Sequence, residues 1–285
     1  MILCDLTPVM ISNYMIQVGN HSNVPVDENL FRHMALNSIR AYKKKYGAEY
    51  GELIIACDGM GSWRKSVFPY YKARRRANRK ESPVDWTALF NSLNKVQGEL
   101  KEYFPYKVIQ VQDAEADDII GVLAAEFGNT SEKIMILSGD KDFIQLQEYM
   151  NVKQYNPVLK KMVTHNNPAQ YLREHIIKGE SGDNDGIPNI LSSDDTFVIG
   201  TRSKPIFAKN LEQWVKMAPE EFCDENMLRN WKRNQQLVDL SFTPQYIKDE
   251  IMEQYKQQPI NNRDKLFNYF VQNRLSNLIS DIGDF

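Results

Sequence analysis

Short apolar segments alternate with helical patterns through the first half of this chain, and this alternation most constrains its fold. Four segments have the length and near-continuous hydrophobicity of buried strands: Met1–Leu6, Leu53–Asp58, Lys107–Val111 and Lys133–Ser138. Apolar side chains recur at helical spacing in the segments between them: residues 28–45, 85–103 and 116–127. Strands that alternate with helices usually pair in parallel, and strands buried on both faces need helical layers. We therefore predict an α/β fold with a mostly parallel central sheet flanked by helices.

The second half of the chain is mainly helical. Residues 152–164 hold two short strand-like pieces around Asn156-Pro157, which predicts a hairpin or a sheet edge. Helical patterns then follow at residues 168–178, 208–217, 224–240, 244–257 and 263–281, with a polar loop at 192–206. We predict two domains: an α/β core over residues 1–165, including a basic segment at about 61–85, and a helical domain over 166–285.

Composition excludes several classes of protein. Lys and Arg total 35 against 37 Asp and Glu, a net charge of −2, so the chain is not a uniformly basic protein. No run approaches the roughly 18 apolar residues of a membrane-spanning helix, and the first residues lack a signal-peptide pattern. Cys4, Cys57 and Cys223 have no metal-ligand spacing and indicate reduced, buried thiols in a cytoplasmic protein.

One segment is strongly basic although the rest of the chain is acidic. Residues 61–80 contain eight Lys or Arg and no acid. Trp63, Phe68, Tyr70 and Tyr71 lie among these charges. Cations neutralise phosphates and aromatic rings stack on unpaired bases, so the segment favours a channel for single-stranded nucleic acid. A solvated surface loop is the alternative.

Carboxylates follow the predicted strands where a parallel sheet would bring them to one edge. Each alone could be a helix cap or a turn residue. The set after the strands comprises Asp5, Asp58, Glu115, Asp117, Asp118, Asp140 and Asp142, and a later group comprises Glu180, Asp183 and Asp185. Two carboxylates about 5 Å apart repel by roughly 3 kcal/mol at an effective dielectric near 20. Such an edge therefore predicts one or two Mg²⁺ ions, and hence two-metal phosphodiester chemistry.

Several longer blocks occur together and in a fixed order. They are ILCDL, LIIACDGMGSWRKSVFPYYKARR, VDWTALF, EADD, SGDKDF, GESGDN and NQQLVDLSFTP. In these blocks the chain resembles the 5′ nuclease family, the flap endonucleases and 5′→3′ exonucleases. The resemblance implies a PIN-like α/β nuclease core and a helix–hairpin–helix-like element in the helical part. The stretch after GESGDN departs from the family pattern because it is longer and lacks a second close glycine.

The resemblance also implies roles for individual residues. The metal-binding acids would be Asp5, Asp58, Glu115, Asp117, Asp118, Asp140, Asp142 and Asp183. The basic segment would be an arch that contacts nucleic acid through Arg64, Lys65, Tyr71, Lys72, Arg74, Arg75, Arg76, Arg79 and Lys80. Lys72 and Arg75 would lie at the attacked phosphate and act in catalysis with Asp117 and Asp140. Glu180 stands where the family often has Asp, and Asp185 is an additional residue that we interpret as part of a turn.

The activity that this resemblance implies is Mg²⁺-dependent hydrolysis, with Mn²⁺ as a possible substitute and two ions expected. Expected substrates are flap, nicked or forked DNA and RNA–DNA hybrid, as in RNase H-type primer removal during phage DNA replication in the host cytoplasm. Expected partners are a single-stranded-DNA-binding protein and a sliding clamp, and the enzyme would be a monomer without membrane attachment.

Two other functions fit parts of the sequence. A phosphohydrolase could use Asp140 of SGDKDF as a nucleophile, but this leaves Asp5, Asp58 and the basic segment unexplained. A non-catalytic DNA-binding protein would explain the basic segment, but it gains nothing from an edge of mutually repelling carboxylates. Phosphatase activity without DNA cleavage would support the first, and binding without cleavage the second.

Overall fold

A six-stranded sheet forms the centre of the fold. The computed structural model describes residues 1–18, 25–180, 185–257 and 263–285. The strands are β1 (Ile2–Asp5), β2 (Leu53–Cys57), β3 (Lys107–Gln110), β4 (Ile134–Leu137), β5 (Val152–Asn156) and β6 (Lys161–Val163). Their order is β3-β2-β1-β4-β5-β6; the first five are parallel, and β6 is antiparallel to β5. The predicted α/β fold, with a hairpin at the sheet edge, is confirmed.

Helices occupy most of the remaining described residues. They are α1 (Leu6–Val18), α2 (Glu28–Tyr50), α3 (Arg64–Val67), α4 (Ala73–Glu81), α5 (Trp86–Tyr103), α6 (Ala116–Phe127), α7 (Pro168–Lys178), α8 (Ala208–Trp214), α9 (Pro219–Phe222), α10 (Glu225–Val238), α11 (Gln245–Gln257), α12 (Leu266–Gln272) and α13 (Ser276–Ile279). Short 3₁₀ turns cover Asp142–Glu148, Leu240–Phe242, Arg263–Lys265 and Ile282–Asp284. Within the described ranges, no helix is long and apolar enough to cross a membrane.

The central strands are buried because helices cover the sheet. Every residue of β1, β2 and β4 is buried. Such strands read as continuous apolar runs, which is why the sequence predicts them well. The largest core combines Leu36, Leu100, Phe104 and Phe270 with side chains from the strands.

The structure differs from the prediction at α1, α3, α4 and α9, which were not predicted, and after residue 263. The helix α1 begins directly after β1, and its apolar sequence hides the helical periodicity; Pro8 lies in its first turn, where no backbone amide is needed. The single helix predicted over residues 263–281 is wrong. The chain there forms α12 and α13, separated by Arg274, whose φ of 56° is left-handed and stops a helix.

The chain divides into two compact units. Met1–Gly61, Pro83–Thr164 and Gln245–Phe285 form the first, here called the sheet unit; Ser62–Ser82 and His165–Pro244 form the second, here called the helical unit. The units therefore do not follow one boundary at residue 165, because the basic segment groups with the later helices and residues 245–285 group with the sheet. A division into a nuclease core and a duplex-binding domain stays a prediction.

Candidate active site

Three aspartates of the sheet unit follow three neighbouring strands. Asp5 is the last residue of β1 and lies beside Ala56 of β2. Asp58 is one residue beyond the end of β2, and Asp140 is three residues beyond the end of β4. Because β2, β1 and β4 are adjacent and parallel, all three residues lie at the carboxyl edge of the sheet. This edge is where open α/β sheets bind their ligands.

Ser138 connects two of these aspartates. Its hydroxyl donates to Asp5 Oδ2 at 2.9 Å and accepts from the backbone amide of Asp140 at 3.1 Å. The turn is held from β5 by fully buried Gln154, whose Nε2 donates to the carbonyls of Ser138 at 3.1 Å and of Asp140 at 2.5 Å. Asp5 is only 4% exposed, whereas the side chain of Asp140 is exposed. The turn thus fixes the backbone that carries Asp140.

The first turn of α6 meets the same edge. Asp58 Oδ1 accepts from the amide of Ala116 at 3.0 Å, and its Oδ2 accepts from Thr7 at 3.1 Å. Asp118 is fully buried, and its Oδ2 accepts from the amide of Glu115 at 2.8 Å. Both carboxylates therefore satisfy donors at a positive helix N-terminus.

Three residues predicted in this part of the edge remain, and one of them, Glu115, is 8% exposed and therefore buried like Asp118. Asp117 and Asp142 are both partly exposed. The amide of Asp142 donates to Asp140 Oδ1 at 2.9 Å, and its carbonyl accepts from Gln145 Nε2 at 2.8 Å. Asp183 lies outside the described residues.

The donor set has the right chemistry for a hard divalent cation, but it is not arranged as a coordination shell. Oxygen ligands from carboxylates are what Mg²⁺ prefers. In the described part of the chain, however, no group of three or more His, Cys, Asp or Glu side chains is placed so that it could hold a metal ion. Asp5, Asp58, Asp118 and Asp140 each accept a hydrogen bond from the protein instead.

The two thiols near this edge are buried in the core. Cys4 and Cys57 are buried in β1 and β2. Burial raises the pKa of both thiols well above the usual value, and the charges of Asp5 and Asp58 raise it further.

The basic segment forms α3 and α4 in the helical unit. Lys65, Arg74, Arg79 and Lys80 are exposed, and their contact with nucleic acid stays a prediction. Lys72 precedes α4 with a left-handed φ of 56°. Arg76 lies in α4, but its side chain is outside the described part of the chain.

Several side chains of the basic segment are buried. Arg64 is 2% exposed, and its Nε donates to the carbonyl of Leu237 at 2.9 Å; its contact with nucleic acid stays a prediction. Trp63 and Phe68 are also buried, and a stacking role for them stays a prediction. Tyr70 is 38% exposed, whereas Tyr71 lies in the core of the helical unit.

Asp185 makes several contacts with the start of α4. The hydroxyl of Tyr71 donates to Asp185 Oδ2 at 3.1 Å, and the amide of Lys72 donates to its carbonyl at 2.8 Å. Asp185 Oδ1 lies 3.1 Å from Arg75 Nη2 and 3.6 Å from Lys72 Nζ. Nearby Glu180 pairs through Oε2 with His175 Nε2 at 2.7 Å.

Comparison with known proteins places the chain in a family. The family model described as the 5′-3′ exonuclease N-terminal resolvase-like domain matches residues 10–176, and the one described as the T4 RNase H C-terminal region matches residues 168–285. Ribonuclease H of Enterobacteria phage T4 is 32% identical over 294 residues, which covers 99% of this chain and 95% of the phage protein.

The chain belongs to the 5′ nuclease family. This confirms the resemblance that the sequence blocks suggest, and it makes the protein a nuclease, a hydrolase of phosphodiesters. The 5′-3′ exonuclease of Buchnera aphidicola from Acyrthosiphon pisum is also similar to this 5′ nuclease, at 27% identity over 73% of this chain and 72% of that protein.

Solved structures share the fold of this 5′ nuclease. The flap endonuclease of bacteriophage T5, in a pseudo-enzyme–product complex with DNA and metal ions, matches with a TM-score of 0.61. The match has 18% identity and covers 90% of this chain and 99% of the T5 chain. At this identity the likeness shows the fold alone.

Three residues of this 5′ nuclease acquire roles that sequence reasoning missed. Ser138 and Gln154 organise the edge, and Asp185 contacts the basic segment instead of acting only in a turn. A polar Gln154 inside a strand was a usable signal, because a buried amide needs partners. Asp185 gave none, since its partners are more than 100 residues away in the chain.

Proposed function

We propose that this nuclease is a Mg²⁺-dependent, structure-specific 5′ nuclease that removes 5′ flaps and RNA primers. The observation that carries the proposal is the row of Asp5, Asp58 and Asp140 along one edge of the sheet, in a chain of the 5′ nuclease family. Hydrolysis at a polyanionic backbone needs positive charge near the phosphate, and a carboxylate edge can supply it only through cations.

The acidic residues hold the cations. Asp5, Asp58, Glu115, Asp117, Asp118, Asp140, Asp142 and Asp183 are the proposed ligands, with two ions and with Mn²⁺ able to replace Mg²⁺. Bound ions would lower the pKa of the attacking water and stabilise the leaving oxygen. Asp117 and Asp140 are the proposed catalytic members, since both are accessible to solvent while their backbones are fixed.

The basic segment binds the nucleic acid. Exposed Lys65, Arg74, Arg79 and Lys80, together with Arg76, neutralise backbone phosphates without reading sequence. Lys72 and Arg75 stabilise charge on the phosphate under attack, and Tyr71 contacts the strand beside them. This assignment predicts binding that weakens steeply with salt.

The names of similar proteins indicate the substrates that we propose. Similar proteins are called ribonuclease H, 5′-3′ exonuclease and flap endonuclease, and the T5 enzyme was crystallised with DNA. We therefore assign flap, nicked and forked DNA and RNA–DNA hybrid as substrates of a monomeric enzyme of phage replication in the host cytoplasm. A single-stranded-DNA-binding protein and a sliding clamp are the proposed partners.

Cleavage of labelled substrates tests the proposal. A 5′-flap duplex and an RNA–DNA hybrid are incubated with wild type and Asp117→Asn in Mg²⁺, Mn²⁺, Ca²⁺ or EDTA. We expect products released from the 5′ side in Mg²⁺, none in EDTA, and a loss of about 10³-fold or more in Asp117→Asn with DNA binding retained. The matched control is Glu126→Gln, an exposed carboxylate near the other end of the same helix, which should cleave normally.

Three outcomes would contradict the proposal. Full cleavage by Asp117→Asn would remove the metal assignment. Tight, salt-sensitive binding without cleavage in Mg²⁺ or Mn²⁺ would leave a DNA-binding protein. Release of phosphate from a small phosphomonoester, with intact DNA, would indicate the phosphohydrolase chemistry of an Asp140 nucleophile.

A further inference from the structure

The start of α4 is held by one residue from a distant part of the helical unit. Asp185 reaches it through three atoms, its carbonyl oxygen and both carboxylate oxygens. These atoms contact Tyr71, Lys72 and Arg75, which lie within five consecutive residues. The contact set includes both cations that the proposed function places at the attacked phosphate.

The backbone of Lys72 depends on this contact. Its left-handed φ of 56° is unfavourable for a residue with a side chain. The amide of Lys72 donates to the carbonyl of Asp185 at 2.8 Å, so the strained residue is anchored at its own peptide group. Strained backbone of this kind persists only where surrounding contacts determine it.

The carboxylate orients the side chains. The side chain of Asp185 is 14% exposed, so the charge of its carboxylate is only partly screened by water. Oδ2 accepts from the hydroxyl of buried Tyr71. Oδ1 faces the Lys72 ammonium and the Arg75 guanidinium, whose side chains remain 20% and 39% exposed. The two cations are thus held near one point while they stay accessible.

We propose that Asp185 is a positioning residue for catalysis, because its contacts with Tyr71, Lys72 and Arg75 set the placement of the two cations that act on the phosphate. The inference rests on the proposed function. It differs from a turn role, which needs only the backbone of Asp185, and from direct action on the substrate, since Asp185 works through its neighbours. Displacement of a reacting group by about 1 Å can cost about 100-fold in rate.

The test compares binding and single-turnover cleavage of a 5′-flap substrate by wild type, Asp185→Asn and Asp185→Ala. Asparagine keeps an acceptor for Tyr71 but loses the charge that pairs with Lys72 and Arg75. We expect cleavage rates about tenfold lower for Asp185→Asn and about 100-fold lower for Asp185→Ala, with the Kd for DNA changed less than threefold. Asp194→Asn is the matched control, because Asp194 pairs with Arg229 and Arg233 in the same unit and should leave the rate unchanged.

A double-mutant cycle separates this role from a merely structural one. If Asp185 acts through the cations, Asp185→Asn in a Lys72→Ala, Arg75→Ala background lowers the remaining rate by less than twofold. An unchanged Tm of Asp185→Asn would show that its slower cleavage does not come from a folding defect. The proposal fails if the losses in cleavage rate multiply in that background, or if Asp185→Asn cleaves like wild type. It also fails if Asp185→Asn binds DNA more tightly without slower cleavage, because the carboxylate would then be a competitor of the phosphate. Each of these outcomes tests Asp185 only when the wild-type protein cleaves the substrate. A wild-type protein that does not cleave it would contradict the proposed function itself.

Discussion

The hydroxyl of Ser138 donates a hydrogen bond to the carboxylate of Asp5 across 2.9 Å, deep in the sheet unit. Asp5 is 4% exposed, and Ser138 is fully buried. Since the same hydroxyl accepts from the amide of Asp140, one small side chain couples the ends of β1 and β4. The placement of Asp140 therefore depends on a residue that carries no charge.

Substitution of this serine should affect stability and activity together. Ser138→Ala leaves an acceptor of Asp5 and the amide of Asp140 without this partner, which costs about 1–3 kcal/mol of unfolding free energy. We expect cleavage to slow by about tenfold as Asp140 loses its anchor. Chemical denaturation and single-turnover kinetics measure the two effects. Ser131→Ala, at an exposed serine of the same unit, should change neither; equal behaviour of the two variants would contradict the coupling.

Substitutions at two neighbouring aspartates, at the start of α6, should differ in their effect on stability. Asp118 is fully buried and accepts from the amide of Glu115, so Asp118→Ala should lower the unfolding free energy by about 1–3 kcal/mol. Partly exposed Asp117 should tolerate Asp117→Asn within about 0.5 kcal/mol while cleavage is lost. Urea unfolding of both variants checks this. A larger stability loss for Asp117→Asn than for Asp118→Ala would reverse the assignment.

Magnesium should stabilise the protein in the absence of nucleic acid. A cation bound only by the folded state adds about 1.4 kcal/mol at ten times its Kd. For a chain of this size that corresponds to a rise in Tm of about 2–4 °C. Thermal unfolding in Mg²⁺ should show this rise for wild type and for Glu126→Gln, and a smaller one for Asp140→Asn. Sodium chloride of equal ionic strength controls for screening, and an equal rise in that salt would argue against a specific site.

Alkylation should distinguish the cysteines by burial and charge. Burial and the nearby charges of Asp224 and Glu220 raise the pKa of Cys223 to about 11, so at pH 8 its thiolate fraction is about 100-fold below that of an ordinary thiol. The thiolate is the reactive form, and the rate should therefore rise with pH. Buried Cys4 and Cys57 should react only after unfolding. Mass spectrometry after iodoacetamide treatment reads all three, and labelling of Cys57 in the native protein would contradict its burial.

Features that repeat along the chain were predictable, and features that depend on distant partners were not. Continuous apolar runs located β1 to β4, and helical spacing located α6 and α7. The carboxylates could be placed at one edge because parallel strands end together. The hydrogen bonds that these carboxylates accept from the protein could not be predicted, since they depend on side-chain positions that hydrophobic patterns do not encode.

The basic segment shows the limit most clearly. The charge of Arg64 predicts a surface position, but the residue is buried and donates to the carbonyl of Leu237, 173 residues later. Phe68 and Tyr71 read as stacking platforms, but they complete an apolar core with α7 and α10. Charge and aromatic content predict that a segment can bind nucleic acid; which of its faces is exposed is decided by tertiary packing.

The core of the sheet unit joins early and late parts of the chain. Phe104 packs against Tyr269, Phe270 and Phe285, although β1 and β2 lie in the first 60 residues. During synthesis on the ribosome, the early strands therefore emerge long before the side chains that cover them. A ribosome-bound intermediate with residues 1–165 would expose apolar surface that α12 and α13 cover in the complete fold. Chaperones that bind nascent chains should therefore bind this protein until its late helices have been made.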